Sequence, residues 1–558
     1  MSNVVDIGRS CAYLVFRAAR HRRAGRFDEA MTLLVKAKDQ YGLREEIELE
    51  MARIYEAMGC EEEACRAYLR IVRLEGKHKA LALFELTLAA LQRADIKRAV
   101  SYQQMLQALK SKDGISDEMA ALLAREVQNE IAYPFSGGKK GRAACLERRA
   151  VIALQQGKVV SAGRLLRHAI HLKPSAQRYA LLACVCLLCG QAQDALDFAQ
   201  IAHELRPSHV QTLCVLSDAH LSVQNKREAR RIRYLAVMRA QTNEDIHLMA
   251  MEAMKHGDDA LTLLLTWRLL KRDPYHAQGM ALRACALMNT GKKEEATRLF
   301  GRLCGLLPEN TVYEAHYKTG REGNKPSERL DLTVDVSRQE GIARISELIA
   351  LLSQDLQKAQ EDSVLLRRVC RNAAWVFRSA MTGMNAMTAA LILLGALTSA
   401  QAENVLLDAL CDPQIEDSFK LMILQVLSDR DGFKPYYVDF EGRLVRLAAG
   451  GISNTERKRD NCSRVLQRVC DQLGTRFADA PKVLLPVYIR YLEMYEEPKR
   501  KHEAACAAAL EYMYFYLKKT ALDSSGCADL DHSAPRRLCS VFIRRLIKAA
   551  QDSKEKQM

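Results

Sequence analysis

Cys184, Cys186 and Cys189 lie within six residues of one another, and thiols this close together are familiar zinc ligands. On a helix, Cys184 and Cys186 point roughly 200° apart, so a single ion cannot gather all three unless the helix breaks. They read instead as small core and groove residues. His502 and Glu503 open the run HEAAC, which lacks the second histidine of a helical zinc-protease motif. Residues 134–141, PFSGGKKG, have the glycines and lysines of a phosphate loop but not its Gly-Lys-Ser/Thr order, and read as a flexible basic insertion. His168 and His171 fall in a last helical turn before Pro174, where a cation suits the helix dipole. There is no Gly-x-Ser-x-Gly, and no carboxylate pair stands out from ordinary acidic helix faces. The expectation is a protein that is not an enzyme, with no catalytic residue, no metal and no cofactor.

The elements that carry these residues are helices. At 558 residues the chain is too long for one ordinary core, and 49% apolar content excludes general disorder. Aromatics are only 6% and prolines 12, with Ala, Leu, Arg, Glu and Lys recurring, which are helix-forming proportions. Met1 to Arg26 has no secretory pattern, so the seventeen cysteines read as reduced thiols in a cytoplasm. Ser379 to Ala402 carries no charge and is long enough for a bilayer, but Thr382, Asn385, Thr388, Gly395, Thr398, Ser399 and Gln401 dilute it. A buried helical hairpin is expected there, with no membrane span.

Gly157, Gly190, Gly257 and Gly291 are each followed seventeen residues later by a proline: Pro174, Pro207, Pro274 and Pro308. The glycines are spaced by 33, 67 and 34, and the missing member falls near Gln224. A turn between two helices and then a stop after the second describes a helical hairpin. Small residues recur in phase with it. On first helices they are Ala18, Ala52, Thr87, Ala150, Ala183, Ser217, Ala250 and Ala284; on second helices, Ala30, Ala64, Ala99, Ala162, Ala195, Ala229, Thr262 and Ala296. Close helix approach demands them, since larger side chains would overpack.

In this period and these columns the chain resembles the tetratricopeptide repeat family. The resemblance implies an all-α, right-handed superhelix over residues 11–308: repeats 1–3 in 11–112, an inserted helix and basic loop in 113–142, and repeats 4–8 in 143–308. Residues 309–337, with Gly320, Gly323 and Pro326, read as an irregular linker. Residues 338–558 read as a helical C-terminal domain, with helices at about 342–360, 363–380, 386–398, 402–411 and 415–428. Its stretch 404–427 is similar to HEAT-like repeats, and Pro435 to Leu447 alternates around Glu441-Gly442 as a small β-hairpin.

In tetratricopeptide arrays first helices line a concave groove that receives an extended or helical peptide. Carried over residue by residue, the register places Leu187, Asp218, Leu221, Met251, Met254, Cys285, Met288 and Asn289 there, a methionine-rich apolar strip. In the first three repeats the strip is charged, with Arg22, Arg23, Glu50, Arg53 and Glu56 beside Leu88 and Leu91. Two readings of Met251, Met254 and Met288 stay open: groove, or packing against the next hairpin or the C-terminal helices. The family's two-carboxylate clamp is not found.

The leading expectation is a non-enzymatic cytoplasmic scaffold that binds a protein or peptide partner. The alternative is a nucleic-acid-associated protein, because the formal charge is +15 and residues 443–558 hold 22 Lys and Arg against 14 Asp and Glu. Its clusters are Arg457-Lys458-Arg459, Lys499-Arg500-Lys501, Arg536-Arg537 and Arg544-Arg545, with Tyr512, Tyr514, Phe515 and Tyr516 the nearby aromatics. The sequence assigns no oligomeric state.

Overall fold

The 34-residue period sets helix lengths directly: about thirteen residues to a three-residue turn, then about fourteen to a proline or its equivalent. The computed structural model describes residues 10–447 apart from 110–113, 137, 156, 324–328, 332–334, 353–359, 380 and 433; beyond 447 it describes 465, 469, 483–484, 487–488, 491, 494–495, 502–518 and 541–548. The chain packs as two compact units, Met1–Ile131 with Ala143–Ala449, and Ala132–Arg142 with Gly450–Met558.

Eight hairpins follow one another. Three come first: α1–α2 (Cys11–Arg23, Phe27–Tyr41), α3–α4 (Glu45–Ala57, Glu61–Leu74) and α5–α6 (Lys79–Gln92, Ile96–Ala108). The inserted helix α7 (Asp117–Ser136) precedes α8–α9 (Gly138–Gln155, Val159–Leu172) and α10–α11 (Ala176–Leu188, Ala192–Leu205). Then come α12–α13 (Val210–Ser222, Lys226–Arg239), α14–α15 (Asn243–Lys255, Asp259–Arg272) and α16–α17 (Ala277–Asn289, Lys293–Leu306). This is the expected solenoid of tetratricopeptide-type helix pairs.

Each turn is built alike. The residue two past the first helix is left-handed, at Gly25, Gly59, Ala94, Gly157, Gly190, Gln224, Gly257 and Gly291. The next N–H then reaches back five residues, as from Gln191 to the Cys186 carbonyl and from Asn225 to His220. Gln224 fills the gap in the glycine series in the same conformation, φ 63°, which a side chain disfavours by roughly 1–2 kcal/mol. All sixteen small-column residues are buried, none more than 3% exposed.

Two segments differ from the expectation. Residues 133–141 are not a basic loop: α7 runs to Ser136 and α8 starts at Gly138. The run RAACLERRAVIALQ is rich in strong helix formers, which outweigh glycines costing about 1 kcal/mol each. Residues 309–337 are not irregular throughout, because α18 (Thr311–Arg321) packs against α17. The Asn310 side chain caps it, accepting from Val312 and Tyr313 N–H, and Phe300 lies against Tyr313 and His316. Gly320 marks contact rather than a loop, since a Cβ there would stand 2.1 Å from Thr297 Oγ1.

The chain continues through α19 (Arg338–Leu352), α20 (Ser363–Arg378), α21 (Met384–Ala396), α22 (Ala400–Cys411), α23 (Asp417–Asp431), β1 (Tyr436–Phe440) and β2 (Arg443–Leu447). The uncharged stretch therefore divides between α21 and α22, and among the described residues no helix is long and apolar enough to cross a membrane. The strands pair antiparallel from Tyr436↔Leu447 to Phe440↔Arg443 around Glu441-Gly442, both at positive φ. The hairpin docks on α6: Ser101 Oγ bonds both N and O of Leu444 at 3.0 Å, and Arg98 pairs with Asp439. In the second unit α24 (Glu503–Lys518) buries Cys506, Leu510 and Met513 in a core with Tyr488, Tyr491, Phe542 and Leu546.

The array returns on itself. α17 packs on α2, where Arg302 holds Asp28 at 2.9 Å and covers the Tyr275 ring, which meets Phe27. Nearby, Arg70 of α4 pairs with Glu309 at 2.7 Å, Asp408 of α22 at 2.6 Å and Glu48 of α3 at 3.3 Å. Lys38 joins Glu48 and Glu309, and Arg73 joins Asp408.

Burial alone raises the Glu309 and Asp408 carboxyls, but Arg70, helped by Lys38 and Arg73, holds both well below the usual carboxylate range. Their stabilisation is thus present above about pH 4 and lost as pH falls through the depressed folded values.

Two outcomes are expected. Ala250→Leu overpacks a fully buried site and lowers stability by about 1–3 kcal/mol in chemical denaturation; an unchanged midpoint contradicts the small-column argument. Arg70→Met leaves buried Glu48 and the half-buried Glu309 and Asp408 with only Lys38 and Arg73, and costs about 2–3 kcal/mol at pH 7. That deficit shrinks as pH is lowered toward 4, because the stranded acids protonate. A pH-independent deficit contradicts the charge account.

Candidate peptide groove

The first helices α10, α12, α14 and α16 carry the strip expected to bind a peptide, and local signals set their ends. Ser175 caps α10, Thr242 and Asp245 form a capping box on α14, and the His276 ring accepts from Gly279 N–H at the start of α16. Asp258 caps α15 and leaves Asp259 as its first residue.

The structure divides the strip. Leu187, Leu221 and Met251 are half-buried, whereas Met254, Cys285 and Met288 are buried in the repeat core. For Met254 and Met288 the packing alternative describes what is seen. Burial pushes the Cys285 thiol up to about 12. Of the three clustered cysteines Cys186 is buried, Cys184 half-buried and Cys189 exposed, so they diverge as helix geometry requires.

Asp218 is not an open carboxylate. Lys255 Nζ lies 2.5 Å from it and His256 Nε2 2.9 Å, with Glu252 3.5 Å from each of those bases. Asp218, Glu252 and His256 are, among the described residues, the set whose ligand atoms converge enough for a metal ion. Lys255 supplies positive charge at that point itself. Hydrogen bonds to Asp218 and Glu252 raise the His256 pKa above its ordinary 6.5. His247, by contrast, is desolvated and pushed down to about 4.

Asn289 is engaged by a distant part of the chain. Its Nδ2 donates to Leu330 O at 2.8 Å, while its Oδ1 accepts from Leu330 N–H at 2.9 Å. The same Nδ2 also donates to Asp259 Oδ1 at 3.0 Å. Arg329 Nη2 donates to Asp259 Oδ1 at 2.8 Å and to the Met254 carbonyl at 3.2 Å. The Leu330 side chain packs on the repeat core. Asp259, Arg329 and Leu330 belong to no local motif, so the sequence alone does not mark them.

In the first repeats the charged strip is internally paired. Arg22 and Arg53 both hold Glu50, at 2.8 and 2.7 Å, and Glu56 accepts from Tyr68. Of the basic clusters, residues 457–459, 499–501 and 536–537 lie outside the described residues, as do the side chains of Phe515 and Tyr516. Arg544 and Arg545 are exposed, with Arg545 over the Tyr495 ring, while Tyr514 is buried.

The sequence matches no protein-family model and no curated protein. Among solved structures it is similar to yeast Tom70 at 11% identity over 76% of this chain and 98% of that one, with a TM-score of 0.31. It is also similar to the tetratricopeptide domain of P58(IPK), at 12% identity over 56% of this chain and 97% of that one, TM-score 0.23. A third is YrrB, a tetratricopeptide protein with an unusual peptide-binding site, at 16% identity over 36% of this chain and 98% of that one, TM-score 0.23.

The groove electrostatics are checked by NMR. The His256 imidazole should titrate above 6.5 and return toward that value in Asp218→Asn, whereas His247 should titrate well below it. The His256 contribution to stability is therefore full below pH 6.5 and fades as pH rises through its folded midpoint. A His256 midpoint at or below 6.5 contradicts the ion-pair geometry.

Proposed function

We propose that this chain is a non-enzymatic protein–protein interaction scaffold whose first-helix surface takes up an extended segment of a partner protein, in a cytoplasmic setting. One observation carries the reading. Asn289 spends both ends of its amide on the two main-chain groups of one residue, Leu330, that lies in no helix or strand. A side chain so placed recognises polypeptide backbone, and half-buried Leu187, Leu221 and Met251 supply apolar surface on the preceding first helices. The fold supports the same reading, since stacked hairpins present a long continuous surface with no need of a catalytic centre.

The test is cross-linking and mass spectrometry on the tagged full-length protein from its native cell, with and without nuclease. Nuclease-resistant cross-links are expected at Lys255, which is exposed beside the strip. Paired Leu187→Glu and Met251→Glu changes should remove that partner while the melting temperature holds, because both side chains are only half-buried. Cross-links that map to residues 541–548 and vanish with nuclease would overturn the proposal.

A further inference from the structure

We infer that Asp259 and Asn289 form a subsite selective for an arginine followed by an aliphatic residue in an extended peptide, that Arg329-Leu330 occupies it in this chain, and that the partner's segment competes for it by presenting the same pair. The inference rests on the scaffold reading and names the chemistry of the ligand.

Each half of the pair is read separately. The arginine is read by charge. Asp259 Oδ1 lies 2.8 Å from Arg329 Nη2, and the Met254 carbonyl, 3.2 Å away, belongs to the last turn of α14, the negative end of that helix dipole. Both acceptors favour a cation and repel a carboxylate. Asn289 ties the two readings together, because the Nδ2 that holds Leu330 O also bonds the carboxylate that holds Arg329. Its Oδ1 takes the Leu330 N–H, so the residue after the arginine must present N–H and C=O on one edge, as extended backbone does. The side chain of that residue then turns onto the repeat core, which sets its aliphatic character.

The occupant is held loosely enough to be exchanged. The Arg329 side chain is 38% exposed and Asp331 is exposed, so the pair meets the array on one side and water on the other. A tethered occupant enjoys an effective concentration on the order of millimolar, and a free ligand must make up that advantage through further contacts. Leu187, Leu221 and Met251 offer such contacts. Occupancy by the chain's own segment lowers the apparent affinity for the partner by the fraction of time the subsite is filled.

The probe is a fluorescein-labelled peptide with the sequence of residues 327–332, SERLDL, measured by anisotropy against the full chain. The double variant Arg329→Ala with Leu330→Ala should bind it about tenfold more tightly than the unaltered chain. Adding Asn289→Ala or Asp259→Asn to that background should reverse the gain, and a peptide with glutamate in place of the arginine should not bind. The proposal is overturned if the folded double variant binds no better than the unaltered chain, or binds equally well without Asn289. If the double variant does not fold, hydrogen exchange on the unaltered chain decides. Saturating unlabelled peptide should speed exchange of the Leu330 amide, and unchanged protection overturns the proposal. Failure of the peptide while cross-links persist beside Leu187 and Met251 rejects this subsite chemistry alone; loss of those cross-links as well rejects the scaffold reading.

Discussion

The guanidinium of Arg70 is where the first unit of this protein is tied together. A helical solenoid otherwise takes its stability from each repeat and its immediate neighbours. Here one buried cation is shared among Glu48 in its own hairpin, Glu309 just past the last repeat, and Asp408 in α22. Buried ion pairs contribute little net stability, since desolvation offsets attraction, but they penalise arrangements that leave a charge unpaired. The network is therefore best understood as setting register. It admits the arrangement in which α17 reaches α2 and α22 reaches α4, and it disfavours arrangements in which the ends of the array drift.

The repeat was legible because its determinants are local. A left-handed residue after each first helix and a small residue at each crossing are demands on individual positions, so they surface as periodic glycines and alanines. Even the gap at Gln224 could be located by counting, and the backbone there is bent like the others. The misread segments were those in which glycine carried a second meaning. Gly320 permits α18 to lie against Thr297, and Gly138 opens α8 instead of lengthening a loop. Composition does not distinguish a glycine that frees the chain from one that lets another element approach.

The groove was only half legible for a different reason. Helical register located the face, yet burial at Met254, Cys285 and Met288 depends on what lies over that face, which register does not contain. The same holds for charge. Arg22 and Arg53 look open to an acidic ligand until Glu50 is found between them, and Asp218 looks open to a basic one until Lys255 and His256 are placed. Along this surface the array answers most of its own charges, and the pair that it satisfies from a distance, Asp259 and Asn289, is the one whose occupant comes from outside the repeats.

The Arg70 network also has a history within each molecule's synthesis. Its partners Glu309 and Asp408 are made 239 and 338 residues after it. At about 5–20 residues per second, the early hairpins leave the ribosome roughly 20–70 s before the last of those carboxylates exists. For that interval the surface that will receive α17 and α22 has no cover, and an arginine destined for burial must remain hydrated. The nascent chain thus passes through a long-lived open form of the array with its seam unsealed, and that form, more than the finished fold, is the species a chaperone or a premature partner would meet.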